Sequence, residues 1–208
     1  MTRNASHRNI GQQSVADRFD HLLQVIGSQR FLRMEGLGNE VPFFICDFKP
    51  TEAVEMTRMQ RQLANRLNQQ GVRILEINLY DLSVEILKAG GDWEWYLAEE
   101  QEMPKAKLLE DIQSILDVEG VLVPAMANRM DQDPFDVLFI SGVGEVFPFI
   151  RSHNVLNNLQ KAAKRQPTVI FFPGSYSHSV ESGASLELFG RLRDDKYYRA
   201  FNIYDYQV

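Results

Sequence analysis

The stretch DVLFISGVGEVFPF, residues 136–149, carries a strand and the turn that ends it. Its first half is a nearly continuous apolar run, too short for a core helix. A strand that is apolar on both faces must be covered on both faces, which is the signature of a parallel sheet flanked by helices. Three further runs have the same character: VPFFICDF (41–48), VRILEINL (72–79) and PTVIFFPG (167–174). VLVPAMA (121–127) reads as a short additional strand and YYRAFNIYDY (197–206) as a terminal one.

Helical periodicity fills the intervals. Ser14 is a candidate N-cap for a helix carrying Phe19, Leu22, Leu23 and Ile26 on one face. Met56, Met59, Leu63 and Leu67 mark a second helix, opened near Thr51 and stopped by Gly71. The pair Gly90–Gly91 breaks the helical spacing of Leu82, Ile86 and Leu87 from that of Trp93, Tyr96 and Leu97. Leu108, Leu109, Ile112, Ile115 and Leu116 follow Pro104 on another helix. A helix from about Pro148 to Arg165 is expected after the glycine turn, and a short one from LELFGRL (186–192). NRMDQDPF (128–135) and YSHSVESGAS (176–185) read as loops.

The expected fold is therefore a single α/β domain over residues 14–208, with a mainly parallel sheet flanked by helices, Rossmann-like or degenerate P-loop-like. Residues 1–13, rich in Asn, Gln, Ser and Arg, read as a flexible tail. The chain has 208 residues, 44% of them hydrophobic, which suffices for one core without disulfides or a structural metal. A single cysteine, Cys46, cannot form an internal disulfide. No apolar run reaches the ~20 residues of a membrane span, and no signal peptide is visible, so a cytoplasmic protein without membrane contact is expected.

In such sheets ligands sit beyond the carboxyl ends of the strands. There the sequence offers Asp47, the segment Asn78–Asp81, the glycines Gly142 and Gly144, and Pro173–Gly174. Gly142 and Gly144 suggest an anion-binding turn or, more economically, a tight strand-to-helix turn that needs positive φ. Neither G-x-G-x-x-G nor G-x-x-x-x-G-K-[ST] is matched. The four histidines are isolated from nucleophiles, except that His178 lies between Ser177 and Ser179. No catalytic motif, cofactor motif or metal-ligand spacing emerges, so a non-enzymatic protein is expected.

Charge is uneven. Lys plus Arg total 22 and Asp plus Glu 28, a net of −6. Twelve acids lie between Glu76 and Glu119 against three lysines, a net of −9. The segment from Arg151 to Arg165 holds four basic residues and no acid. Arg151, Lys161 and Arg165 form a possible basic edge, with Lys161 and Arg165 on one face of the expected helix. The overall balance argues against nucleic-acid binding by this chain alone. Trp93, Trp95 and Tyr96, set beside acids, are read either as anchors for a protein partner or as one core tryptophan covered by the other.

The segments FFICDFKP, INLYDL, ISGVGEVFPFIRSHNVLNNLQ, VIFFPG and LELFGRLRDDKYYRAFNI together resemble the BrxB family, small components of BREX bacteriophage-exclusion systems. The resemblance runs from about Val41 to Ile203. BREX operons encode a methyltransferase, a large ATPase and PglZ, an alkaline-phosphatase-like protein. The resemblance implies a role beside these in host DNA marking and phage restriction, with PglZ and other BREX components as partners, and it supplies no catalytic residue. The alternatives are a degenerate P-loop-like nucleotide-binding domain built around Gly142–Gly144 and a nucleic-acid-binding subunit.

Overall fold

A computed structural model describes residues 10–36, 41–179, 183–194 and 200–208. Ser14 caps α1 (Val15–Ile26), its hydroxyl accepting the Asp17 amide at 3.2 Å. Ile10–Gln12 form a 3₁₀ turn with Ile10 packed on the core, so the end of the expected tail is structured. A short helix, α2 (Gln29–Leu32), leads to β1 (Phe43–Phe48). A 3₁₀ turn at Pro50–Glu52 opens α3 (Ala53–Gln69), which buries Met56, Met59, Leu63 and Leu67 and ends before Gly71 at φ +87°. Then come β2 (Ile74–Asn78), α4 (Leu79–Gly90), α5 (Trp93–Glu99) and α6 (Lys105–Ile115).

The remaining elements are α7 (Val123–Gln132), β3 (Val137–Ser141), α8 (Ser152–Leu159), β4 (Thr168–Ser179), β5 (Gly183–Leu188), β6 (Leu192–Asp194) and β7 (Phe201–Asn202). Five of the described strands run β2-β3-β4-β1-β7, all parallel, with β5 and β6 added antiparallel off β4, so the fold is the expected mainly parallel sheet flanked by helices. β1 lies between β4 and β7 rather than beside β2, an order that departs from the 3-2-1-4-5-6 doubly wound arrangement.

Alternation within each strand splits the core in two. Phe44, Cys46, Phe139, Val169 and Phe171 point to the side covered by α1 and α3. Phe43, Ile45, Leu138, Ile140 and Ile170 point to the side covered by α4, α7 and α8. Both faces are buried, which is why the strands read as unbroken apolar runs. The chain's last turn locks onto this core. Tyr206 donates its hydroxyl to the carbonyls of Glu35 (2.9 Å) and Arg30 (3.3 Å), and its ring meets Phe31 and Phe44 edge-on. Among the described residues no helix is long and apolar enough to cross a membrane.

Four sequence readings are corrected. VLVPAMA is helical: a π-helical turn over Val118–Leu122 runs into α7, which also absorbs residues 128–132 of the expected loop. Leu122, Val123 and Met126 are buried at helical spacing, and Pro124 sits where the π-helical turn passes into α7. The helix expected from Pro148 to Arg165 is only α8, and residues before Ser152 form turns. The expected loop at 176–185 and helix at 186–192 are instead an antiparallel arrangement. β4 continues past the sheet, pairs with β5 from Gly174↔Leu188 to Ser179↔Gly183, and β5 pairs with β6. Buried Leu186 and Leu188 flank partly exposed Glu187, a period of two that leucine's helical propensity masks. Last, the expected terminal strand is just β7, followed by a 3₁₀ turn at Ile203–Asp205; its Tyr197 and Tyr198 lie outside the described residues.

Candidate functional site

At the carboxyl ends of β1, β3 and β4 the structure opens a pocket of about 250 Å³. Phe48 lines it from the end of β1 and Pro50 from the 3₁₀ turn after it, Ser141–Glu145 from the end of β3 and the turn that follows, and Pro173 from β4; Phe189 of the β5–β6 turn closes it. Among the described residues, Glu145 is the one charged residue of this lining. A phosphate-bearing ligand requires positive charge or a cradle of amides at such a place, and a carboxylate there opposes it.

The two glycines of the turn serve different ends. Gly142 has φ +75°, and a Cβ there would collide with Asn78 Oδ1 and lie 2.9 Å from the Tyr80 amide nitrogen. Those two atoms form the N-cap of α4, in which Asn78 Oδ1 accepts from Tyr80 N at 2.9 Å and Asp81 N at 3.2 Å. Gly142 is therefore a positive-φ turn residue, as expected. Gly144 is not among the positive-φ glycines, which corrects that reading. What requires glycine there is space, because Pro173 Cγ and Phe189 Cε1 would stand 2.9 and 3.0 Å from a Cβ.

Asp47 and Cys46 end β1 in a buried polar cluster. Asp47 Oδ2 accepts the Tyr176 amide at 2.9 Å, where β4 leaves the parallel sheet. Cys46 Sγ lies 3.2 Å from the Tyr204 hydroxyl, which donates to the Asp47 carbonyl, also at 3.2 Å. Burial pushes the Cys46 thiol up to about 12, so the sulfur stays protonated and unreactive, as its place in an apolar strand implies. Nearby Arg18 is only 1% exposed and donates Nη2 to Glu52 Oε2 at 2.8 Å. Sequence reasoning missed this pair. The signal was Arg18 on the same helical face as Leu22, Val25 and Ile26.

Burial also raises the Asp47 carboxyl above the ordinary carboxylate value, with the Tyr176 amide and Arg18 acting the other way and Asp205 adding to the rise. The folded state then holds this proton more tightly than the unfolded chain. The contribution of Asp47 to stability therefore falls as pH rises from about 4 through its folded pKa. Asp47→Asn keeps the acceptor for Tyr176 and removes the titration. Urea midpoints between about pH 4 and 7 should show the variant gaining on the wild type as pH rises; parallel profiles would count against this.

Elsewhere the expected site residues separate. Trp93 is half-buried against the core, with Lys88 Nζ 5.4 Å from its ring centroid. Trp95 is 52% exposed and meets Tyr96 edge-on at 5.0 Å, and Leu97 is 51% exposed. Arg151 stands at the N-cap of α8, while Lys161 and Arg165 lie beyond its end, so these two do not share a helix face. Lys161 pairs with Glu119 at 3.0 Å, with both side chains open to solvent. Ser177 and His178 belong to the β4–β5 pairing rather than a loop. Among the described residues no three His, Cys, Asp or Glu side chains gather as a metal site.

Comparison with known proteins agrees with the sequence resemblance. A protein-family model described as "BREX protein BrxB" matches residues 75–203, from β2 to the start of the last 3₁₀ turn. BREX protein BrxB of Bacillus cereus (strain H3081.97) is 36% identical over 195 residues, covering 92% of this chain and 98% of that protein. BREX protein BrxB of Escherichia coli O9:H4 (strain HS) is 24% identical over 186 residues, covering 89% and 90%. No solved structure matches. With more than half of the chain matched by the family model and nearly all of it aligned to relatives of the same description, the chain belongs to the BrxB family of BREX proteins.

Proposed function

We propose that this protein is a non-catalytic assembly subunit of a BREX anti-phage defence system, holding PglZ in a complex that serves phage restriction and host DNA methylation. The observation that carries the reading is α5. This helix buries none of its residues yet carries Trp95 and Leu97 in the open, beside a half-buried Tyr96. Exposed aromatic and aliphatic anchors of this kind are what protein partners bury. The nucleotide-binding alternative has in its favour the pocket beyond β1, β3 and β4, and against it the Glu145 carboxylate in that lining.

Purification of the tagged chain from cells carrying its operon tests the proposal. PglZ should co-purify in stoichiometric amount, and isothermal calorimetry with ATP, GTP and Mg²⁺ should give no heat of binding. A chain recovered alone would overturn the assembly role. A saturable nucleotide isotherm abolished by Gly144→Val would revive the alternative.

A further inference from the structure

The acidic segment of the molecule borders a groove floored by the core residues Leu87, Leu116 and Val146 and open to solvent above them. α5 and α6 each lack a fully buried residue, although they carry Trp95, Tyr96, Leu97, Leu108 and Ile112. With α4 they enclose a groove of about 390 Å³, whose walls include Val84, Leu87, Tyr96, Leu97, Leu108 and Ile112. Val84 and Leu87 are three apart on α4, Leu108 and Ile112 four apart on α6, and on α5 Tyr96 and Leu97 stand three and four residues after Trp93, which also lines the groove. That is the lining an amphipathic helix meets when it lies in a hydrophobic groove.

The rim states the charge of the occupant. Glu100 and Glu145 line the groove itself. Glu94, Glu99 and Glu102 stand exposed around α5, within the segment 76–119 that carries a net −9. Lys107 pairs with Asp111 within α6, and Glu85 of α4 pairs with Arg129. An acidic rim opposes nucleic acid and anionic lipid, and it attracts lysine and arginine, whose long aliphatic stems also cover apolar surface.

We propose that this groove receives a basic amphipathic helix of another BREX component, with apolar anchors at i, i+3 or i+4 and i+7, and Lys or Arg on its flanks. This rests on the assembly reading above and adds the surface and the chemistry of the partner. The apolar walls supply the anchor, and the acidic rim sets orientation and speeds encounter, so binding weakens as ionic strength rises.

The test uses the full chain co-expressed with the other BREX components. Tyr80→Glu and Leu97→Glu place a charge on exposed side chains of the groove lining, and Arg165→Glu is the control on a different segment. Both groove variants should keep the wild-type thermal midpoint and lose captured partner by about tenfold or more, as loss of an interface anchor does, while the control retains it. A photo-reactive p-benzoylphenylalanine at position 97, exposed in the groove wall, should cross-link to a Lys/Arg-rich helical segment of a partner chain, identified by mass spectrometry. Capture retained in both groove variants, or cross-linking to a second copy of this chain or to an acidic segment, would overturn the groove assignment and leave the assembly reading standing. A wild-type chain that captures nothing would overturn both.

Discussion

Gly142→Ala should destabilise the protein by about 2–5 kcal/mol, summing a left-handed backbone penalty of ~1–2 and an overpacking cost of ~1–3. The first part follows from φ +75°. The second follows from what a methyl would meet. Asn78 Oδ1 is held by two amide donors and the Tyr80 nitrogen is backbone, so neither can retreat without uncapping α4. For a chain of this size the thermal midpoint should fall by on the order of 10 °C. Gly144→Ala is the matched comparison. Its Cβ would press on Pro173 and on the ring of Phe189, which is 37% exposed and can swing into solvent, so the loss should stay near ~1 kcal/mol or below. Urea denaturation of the two variants side by side settles the matter. Equal shifts, or an unchanged Gly142→Ala, would refute the assignment.

Phe44→Ala should cost about 3–5 kcal/mol, the range for deleting a fully buried phenylalanine. Phe44 is in the middle of β1 with no exposed surface. Its ring centroid lies 4.6 Å from Phe31, 5.5 Å from Tyr206 and 5.7 Å from Phe201. Removing it takes the apolar seat from under the chain's last turn as well as leaving a void. Beyond the global loss, hydrogen exchange should therefore show amides 201–206 losing protection first. A loss under ~1 kcal/mol would mean that the surrounding rings collapse into the space.

These two sites also mark how far the sequence could be read. β1, β3 and β4 were legible because burial on both faces leaves an unbroken apolar run, and α3 because Met56, Met59, Leu63 and Leu67 repeat at helical spacing. Residues 121–127 were not, since a short apolar run has no period long enough to separate strand from helix, and only packing of Leu122 and Met126 decides it. β5 was hidden because its leucines favour helix in isolation and only pairing with β4 makes them a strand. Of the site, the turn at Gly142 was legible from residue type, whereas residue type left open which tryptophan is exposed, since Trp93 and Trp95 differ only in how α5 packs. The separation of Lys161 from Arg165 depends on where α8 stops, and although the helical face of Arg18 signals its burial, its partner Glu52 lies 34 positions away, which no local pattern reports.

The placement of β1 has a consequence for how the protein is made. This strand pairs with β4 and β7, and its partner for Phe43 is Thr168, 125 positions further along the chain. At ~5–20 residues per second of synthesis, FFICDF leaves the ribosome roughly 6–25 s before its neighbour exists. Through that interval a segment of high β-propensity, uncharged until Asp47, has no strand to lie against. Helices α1 and α3 can shield one side of it early, since both are complete by residue 69. Its two edges stay open until residues 168–202 arrive, so chaperone cover during translation is expected to raise the yield of folded protein.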